Sequence, residues 1–309
     1  SKDIPVSQFP AKLVLELRSL TRKYYDLTDE RSAHINKLKG DLHTVFPQYL
    51  DVFCDVTGKT STMILRQYGT PDKILRGHKK TMIEKISKAS RKGLAKASER
   101  YEKLCAAANA AKTFGCQIDS IYFNIFLTLD LVEKLDSALD SILNRIRQLI
   151  TFNKNEKFIQ QIKLLNTIPG VGFLTAVTIM CEIGDFSAFR NPKQLFAYFG
   201  LDPEVNESGK FVGTQLHMSK RGSRIARRAI FAVALASIRT KRNGEGINPY
   251  LRKYYELKSG QKPKMVAIGA VMHKVCNIVF AVLRDEKAFE LRSPEEHCKQ
   301  YQRPALAAA

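Results

Sequence analysis

The sequence has few of the features that mark membrane or secreted proteins. No apolar run reaches the roughly 18 residues that a membrane-spanning helix needs. The best candidate, Ala229 to Ile238, is short and flanked by arginines. No secretory signal is visible at the N-terminus. These absences favour a cytoplasmic protein without a membrane segment.

The chain also lacks the side-chain patterns of common metal and redox sites. Its six cysteines form no Cys-x-x-Cys pair, and several fall on apolar helical faces, which predicts reduced, buried thiols. Asp202, Glu204 and Glu207 are clustered, but their alternation fits a solvated loop better than a metal site. We therefore expect no metal ligands and no cofactor in this chain. The cysteines are Cys54, Cys105, Cys116, Cys181, Cys276 and Cys298.

Acidic residues are few relative to basic ones. The 309 residues include 50 Lys and Arg against 30 Asp and Glu, so the net charge is +20. Such a positive field makes nucleic acid the first partner to consider and an anionic membrane surface the second. The length and the apolar content of 44% allow two or three domains with a substantial core.

Two stretches carry apolar residues at heptad spacing, which predicts an all-α fold built on two long helices. The first covers residues 10–46 and ends at Pro47, and the second covers residues 117–150. Their similar lengths favour pairing as an antiparallel coiled coil. Packing of the same stripes as core faces of a helical bundle is an alternative that the pattern leaves open.

The segment between these helices, residues 48–112, reads as short helices broken by turns. From Arg76 to Lys103 it holds ten Lys and Arg against three Glu. That density suits contact with phosphates, but a solvated helix face explains it equally well.

A tight Gly-Val-Gly turn interrupts two helical patterns between Thr167 and Gly184. Because Gly170 and Gly172 have no Cβ, we expect bare backbone amides there that a phosphate can approach. The following helix would place its positive N-terminal dipole at the same point. The pattern predicts a helix-hairpin-helix that grips a nucleic-acid backbone.

The rest of the chain, residues 159–290, reads as one helical domain. Helices are predicted at 222–241, 247–259 and 262–285, and the turn-rich stretch near 204–217 allows a short β-hairpin. The predicted segments are a coiled-coil helix at 1–47, a basic insert at 48–112, a second coiled-coil helix at 113–158, this domain at 159–290 and a tail at 291–309.

Fourteen basic residues against two acidic ones lie between Lys210 and Lys264. Three arginines at i, i+3 and i+4 spacing would share one face of a helix that starts near Gly222, as phosphate neutralisation requires. No base-reading pattern is visible, so no sequence specificity is inferred. The candidate nucleic-acid-binding residues are Gly170, Val171, Gly172, Lys210, Lys220, Arg221, Arg224, Arg227, Arg228, Lys262 and Lys264.

Ser208 lies in the stretch Asn206-Glu-Ser-Gly209. From the residues alone, a serine before a glycine is a turn residue. His217 lies nine residues further on, a spacing that matches no catalytic triad.

Several of these motifs together resemble a known family. The stretch TIPGVGFLTAVTIMCEIGDFSAFRNPKQLFAYFGLDPEVNESGKF is followed by MSKRGSRIARRAI and then by GQKPKMVAIGAVMHKVCNIVFAVLR. In this order they resemble the C-terminal domain of insertion-sequence transposases of the acidic-tetrad (DEDD) class, relatives of the Piv/MooV invertases. The resemblance covers about 159–290.

The resemblance implies a recombinase that cuts and rejoins DNA, guided in some members by a structured bridge RNA. It implies that Ser208, beside Gly209, attacks a DNA phosphate, and that Mg²⁺ is held by four acids of a RuvC-like N-terminal domain. None of those acids can be placed here, so we expect this polypeptide to bind nucleic acid without cutting it. A homo-oligomer and a nucleoid-associated location are also expected.

Two interpretations from other classes remain open. One is a non-catalytic helix-hairpin-helix module of repair or junction-binding type. The other is a coiled-coil assembly protein whose basic face only keeps it in solution.

Overall fold

The computed structural model describes residues 11–114, 116, 118–153, 156–204, 207–208, 211–212, 218–293 and 295–296. Within these residues the fold is all-α, as predicted, apart from two strands of two residues each and one 3-10 helix at Phe186–Ala188. The first seven helices are α1 Lys12–Val45, α2 Tyr49–Val52, α3 Lys59–Gln67, α4 Pro71–Arg76, α5 Lys79–Ser90, α6 Leu94–Phe114 and α7 Asp119–Phe152. The other elements are α8 Glu156–Leu165, α9 Phe173–Ile183, α10 Pro192–Tyr198, β1 Glu207–Ser208, β2 Phe211–Val212, α11 Arg224–Ile238, α12 Pro249–Ser259 and α13 Lys264–Asp285.

The two long helices predicted from heptad spacing are α1 and α7. Each helix begins and ends within two residues of the predicted positions. They run antiparallel. Near the C-terminal end of α1, the Tyr122 hydroxyl donates to the Val45 carbonyl, and further back the Arg31 guanidinium bonds the Asp136 carboxylate. Coiled-coil packing of this pair stays a prediction.

The chain divides into two compact units. We call residues 24–142 the insert unit, and residues 1–23 with 143–309 the hairpin unit. Each long helix contributes to both units, so the five segments of the sequence analysis are distributed over two bodies.

The insert unit has its own apolar core. Side chains from every one of its helices are buried there, including Leu38 of α1, Ile64 of α3 and Leu104 of α6. Tyr49 is fully buried among them, and its hydroxyl donates to the Ser61 carbonyl at 3.1 Å. Burial raises the pKa of Tyr49 above its usual range, so the hydroxyl remains a neutral donor.

Helix α13 is the central helix of the hairpin unit and corrects one expectation from the sequence. It packs against α8, α10, α11 and α12. Among the described residues, α13 is the one helix that is long and apolar enough to cross a membrane, although the sequence analysis found no such run. His273 and Lys274 interrupt the apolar run, but the mean hydropathy of the helix is still high enough for a membrane-spanning segment. More than half of the run is buried inside the unit, as in the core helix of a globular fold.

The cysteines only partly follow the prediction of buried thiols. Cys181 on α9 and Cys276 on α13 are buried, and burial raises the pKa of Cys181 to about 12. Cys54 and Cys116 are exposed, because both lie in connections outside the helices. Cys298 lies outside the described residues.

A buried carboxylate joins α1 to α9 within the hairpin unit. Glu182 is 3% exposed, and the Arg22 guanidinium donates to both of its oxygens at 2.9 Å. Burial raises the pKa of Glu182, but hydrogen bonds from Arg22 and Ser223 and the nearby positive charges outweigh it, so the pKa is lowered. The Tyr198 hydroxyl donates to the Glu182 carbonyl, which attaches α10 to the same point.

We predict that Arg22→Ala lowers the free energy of unfolding by about 2 kcal/mol or more, because it leaves a buried carboxylate without its charged donor. Lys241→Ala is the control in the same unit. Its partner Glu245 is exposed, so the cost is below about 1 kcal/mol. Urea unfolding at pH 7 measures both.

The stability that the Arg22–Glu182 pair contributes is expected to change with pH in one direction. A carboxyl with a lowered folded-state pKa stabilises the fold above its unfolded value and loses that contribution as the pH falls. The difference between wild type and Arg22→Ala is therefore expected to shrink below about pH 4.5, the ordinary pKa of a glutamate. A difference that grew with acidity would contradict this account.

Candidate nucleic-acid interface

The turn between α8 and α9 lies directly against α11. Gly170 has a φ of +96°, and a Cβ there would lie 2.7 Å from Ser237 Oγ and 3.0 Å from Ser237 N. The Ser237 hydroxyl also donates to the Pro169 carbonyl at 2.9 Å. Backbone conformation and packing on α11 therefore already require a glycine at this position.

The amides of the turn are less bare than the sequence analysis expected. The Val171 amide donates to the Ile168 carbonyl at 2.9 Å, and the Val171 side chain is buried. Gly172 is different, because it is exposed, caps α9 and would have open space around a Cβ. Of the three predicted residues, Gly172 is the most exposed, Gly170 is half-buried and Val171 is buried.

Two chain segments cross at a pair of glycines, Gly200 and Gly222. A Cβ on Gly222 would lie 2.5 Å from the Phe199 carbonyl carbon and 2.7 Å from the Gly200 nitrogen. A Cβ on Gly200, where φ is +66°, would lie 2.8 Å from the Arg221 nitrogen. Only two residues without side chains permit so close an approach of the two backbones.

Arg227 joins the same two segments. Its Nη1 atom donates to the carbonyls of Gly222 at 2.7 Å, Lys220 at 3.2 Å and Phe199 at 3.2 Å. The sequence analysis assigned Arg227 to phosphate binding, and that assignment stays a prediction. The structure gives the guanidinium a second role, because its hydrogen bonds to these carbonyls join the two segments.

The crossing forms the base of the segment that carries Ser208, and we call this segment, between Pro203 and Met218, the serine hairpin. At its base the Ser219 amide donates to the Asp202 carbonyl, and the Ser219 hydroxyl donates to the Asp202 carboxylate at 2.6 Å. Pro203 and Met218 form an antiparallel bridge.

Further along the serine hairpin, β1 and β2 pair antiparallel, with Ser208 opposite Phe211. The short β-hairpin expected at 204–217 is therefore present in the described residues. Gly209, Lys210 and His217 lie outside them.

Several predicted cations emerge from this base. Lys220 adopts a left-handed conformation with φ +54° and is exposed, as is Arg221. Ser223 then caps α11 by accepting from the Ala226 amide, and Arg224, the first residue of α11, is exposed. Arg228 is half-buried on the next turn. The basic residues of 220–228 are thus held next to the base of the serine hairpin.

Lys262 and Lys264 belong to a different element. Both are exposed, Lys262 in the turn before α13 and Lys264 as its first residue. Among the described residues, no group of three His, Cys, Asp or Glu side chains is arranged to hold a metal ion.

Contacts that fix this site had no signal in the sequence. Arg22 and Glu182 are 160 residues apart, and the Asp202–Ser219 bond closes a segment that reads as an ordinary turn. Ser223 was the exception that could have been found, since a serine followed by a helical pattern is a recognisable N-cap.

The region that carries this geometry matches a known protein family. Residues 162–256, from the end of α8 to α12, match the profile described as "Transposase IS116/IS110/IS902 family". The match includes the turn at Gly170, the glycine crossing, the serine hairpin and the basic start of α11. This region of the chain is therefore similar to the transposase domain of that family, in agreement with the resemblance seen in the sequence.

Comparison with whole proteins finds relatives with related names. An uncharacterized 43.6 kDa protein of insertion element IS110 from Streptomyces coelicolor is 23% identical over 286 residues, which is 92% of this chain and 66% of that protein. The pilin gene-inverting protein of Moraxella bovis is 30% identical, covering 57% of this chain and 52% of that protein. The transposase for insertion sequence element IS1111A from Coxiella burnetii is 26% identical, covering 59% and 50%. The chain thus spans between half and about two thirds of these relatives.

We predict that the same substitution affects stability very differently at two glycines. Gly222→Ser places a side chain against backbone atoms of Phe199 and Gly200 and is expected to destabilise the protein by about 3 kcal/mol or more. Gly172→Ser, the matched control, adds a favoured N-cap in open space and is expected to be nearly neutral. Thermal unfolding of the two variants checks this, and equal stabilities would contradict the crossing.

Proposed function

We propose that this chain is the nucleic-acid-binding and serine-bearing part of a site-specific DNA transposase or recombinase. The observation that supports it best is the base of the serine hairpin. There, the Gly200–Gly222 crossing holds Lys220, Arg221 and the start of α11 next to the segment that carries Ser208. Cations next to a candidate nucleophile suit a substrate whose reacting group is a phosphate. The names of the transposase and gene-inverting relatives are consistent with this function.

In the intact protein, the proposed role of Ser208 is to attack a DNA phosphorus through its hydroxyl oxygen. A bond from serine to phosphorus forms as the phosphodiester bond to the leaving sugar oxygen breaks; the serine loses its proton, and the leaving oxygen takes one up to become a free hydroxyl. The phosphate-bearing end stays on the serine, and attack by a sugar hydroxyl on that phosphorus rejoins the strand. A serine hydroxyl is too weakly acidic to do this unaided. The described residues form no magnesium site, so we assign activation to the acidic domain that the resemblance implies and propose that this chain alone binds without cutting.

The proposed partners are nucleic acids. DNA is the first partner, which suits exposed cations that have no base-reading pattern. A structured bridge RNA, which the family resemblance implies, is the second. We also propose a homo-oligomer, since strand exchange needs paired sites, and a cytoplasmic, nucleoid-associated location.

One observation favours a second candidate function. Gly172 is open and caps α9, so α8, the turn and α9 suit a non-catalytic helix-hairpin-helix module that binds DNA or RNA backbones. Strand cleavage separates the two candidates, because only a transposase needs Ser208.

We predict that the double variant Lys220→Gln/Arg221→Gln weakens DNA binding and reduces its salt dependence. Each lost phosphate contact lowers the slope of log Kd against log salt by about 0.9 for duplex DNA. Lys23→Gln/Lys287→Gln is the control, with the same charge change at exposed positions of the same unit. Fluorescence anisotropy between 50 and 300 mM salt gives both slopes. If wild type does not bind any nucleic acid at low salt, the proposal fails and a coiled-coil assembly protein becomes the better interpretation.

A second prediction concerns Ser208 in a protein that also contains the acidic domain. Ser208→Ala is expected to abolish covalent protein–DNA adducts and strand cleavage while leaving Kd unchanged within about twofold. Ser259→Ala, which removes a hydroxyl that bonds only the Glu256 carbonyl, is expected to retain both activities. Gel analysis of end-labelled DNA with Mg²⁺ measures the products, and normal cleavage by Ser208→Ala would reject the assigned nucleophile.

A further inference from the structure

A second basic site lies in the insert unit, within the basic stretch from Arg76 to Lys103. A cleft of about 270 Å³ opens between α2, the end of α5 and the first half of α6. Four cations line it, namely Lys92, Lys96, Arg100 and Lys103, against the two carboxylates Asp51 and Glu99. The cleft therefore has an excess of positive charge in a concave surface, where a bound anion is partly shielded from solvent.

The carboxylates compensate these charges only in part. Glu99 bonds Lys103 at 2.8 Å, so Lys92, Lys96 and Arg100 remain against Asp51. The hydrogen bond from Lys103 holds the pKa of Glu99 below its usual range, and the charges of Lys96 and Arg100 contribute. Both groups line the same cleft as Glu99.

The cations stand on an ordered scaffold. Lys96, Arg100 and Lys103 follow each other at i, i+4 and i+7 on α6, which places them along one helix face. The Arg100 guanidinium lies over the ring of the buried Phe53, 5.7 Å from its centroid.

Lys92 belongs to a turn that is itself hydrogen-bonded. The Ser87 hydroxyl donates to the Lys92 carbonyl at 2.7 Å, and the Lys92 amide donates to Ser90 Oγ at 3.3 Å. Because the backbone and one guanidinium are already positioned, an anion that binds here has little ordering left to impose.

Other cations of the same unit are used differently. Arg31 is bonded to Asp136, and Arg66 to Asp130 and Glu133, so these arginines tie helices together. The cleft, in contrast, is lined by more cations than carboxylates, and its cations lie within one short stretch of chain. A helix face that is only solvated is not expected to be concave or to hold a guanidinium over an aromatic ring.

We propose that this cleft binds a phosphate group of a nucleic-acid backbone, as a contact separate from the one in the hairpin unit. The inference rests on the proposed function in one respect, that the chain binds nucleic acid at all. Duplex DNA, single-stranded DNA and an RNA hairpin share the recognised chemistry, so all three are used as probes, and the strand type with the largest effect identifies the source of the phosphate.

The first test removes charge from the cleft. Lys92→Gln/Lys96→Gln is expected to weaken binding by roughly tenfold or more at 0.1 M salt and to lower the salt slope by about 0.9 per contact for duplex DNA, or 0.7 for single strands. Lys37→Gln/Lys39→Gln on α1 is the control, since both side chains are exposed in the same unit and do not line the cleft. Equal effects of the two double variants on every probe would overturn the proposal.

The second test removes a negative charge from the cleft, and its expected effect on affinity is opposite to that of the first test. Glu99→Gln removes the carboxylate that Lys103 bonds, so that Lys103 becomes available to the anion. Tighter binding and a steeper salt slope are expected, and a loss of affinity in a variant with unchanged thermal stability would contradict the site.

A third measurement uses wild-type protein and therefore does not depend on the folding of a variant. Acetylation of lysines, followed by mass spectrometry, is expected to show Lys92 and Lys96 protected at least severalfold by the nucleic acid, with Lys37 and Lys39 unchanged. Binding without this protection overturns the cleft but leaves the proposed function intact. Absence of binding by wild type overturns the proposed function itself.

Discussion

The close approach of two backbones at Gly200 and Gly222 is the constraint on which the candidate site depends. No side chain fits between them, and one nitrogen of Arg227 lies within hydrogen-bond distance of three carbonyls around the crossing. This arrangement determines where the serine hairpin begins and ends and directs residues 220–224 away from the core. The Asp202–Ser219 bond closes the hairpin base beside it. The geometry of the site thus comes from backbone contacts, and the charged side chains are attached to a base that is already formed.

The large positive charge is divided between two roles. Some arginines have partners within the fold: Arg22 bonds the buried Glu182, Arg31 bonds Asp136, and Arg227 bonds carbonyls. Lys220 and Arg221 near the serine hairpin and Lys96 in the cleft of the insert unit are exposed to solvent. The distinction matters for mutagenesis, because replacing an arginine that bonds another part of the fold can reduce binding by damaging the fold. Replacing Lys220, Arg221 or Lys96 tests phosphate contact more directly.

Local patterns carried much of the prediction. The heptads specified α1 and α7 to within two residues, and helical patterning and the turn-rich stretch predicted α11 to α13 and the β-hairpin. Packing was not visible in these patterns. The φ of Gly170 and its contact with Ser237 require a glycine there, whether or not a ligand binds. The apolar run of α13 was overlooked, and the exposure of Cys54 and Cys116 was not foreseen, since burial depends on which elements pack together.

The sequence by itself determined the all-α fold, the extents of the two long helices, the excess of positive charge and the family resemblance, because each of these depends on neighbouring residues or on composition. Only the tertiary structure decided that Gly170 packs against Ser237 while Gly172 faces open space, that Arg227 binds carbonyls, and that Glu182 meets an arginine 160 residues away. These are relations between groups far apart in the chain. They exist only after the helices have packed, since packing brings a carbonyl, a carboxylate or a ring within hydrogen-bond or van der Waals distance.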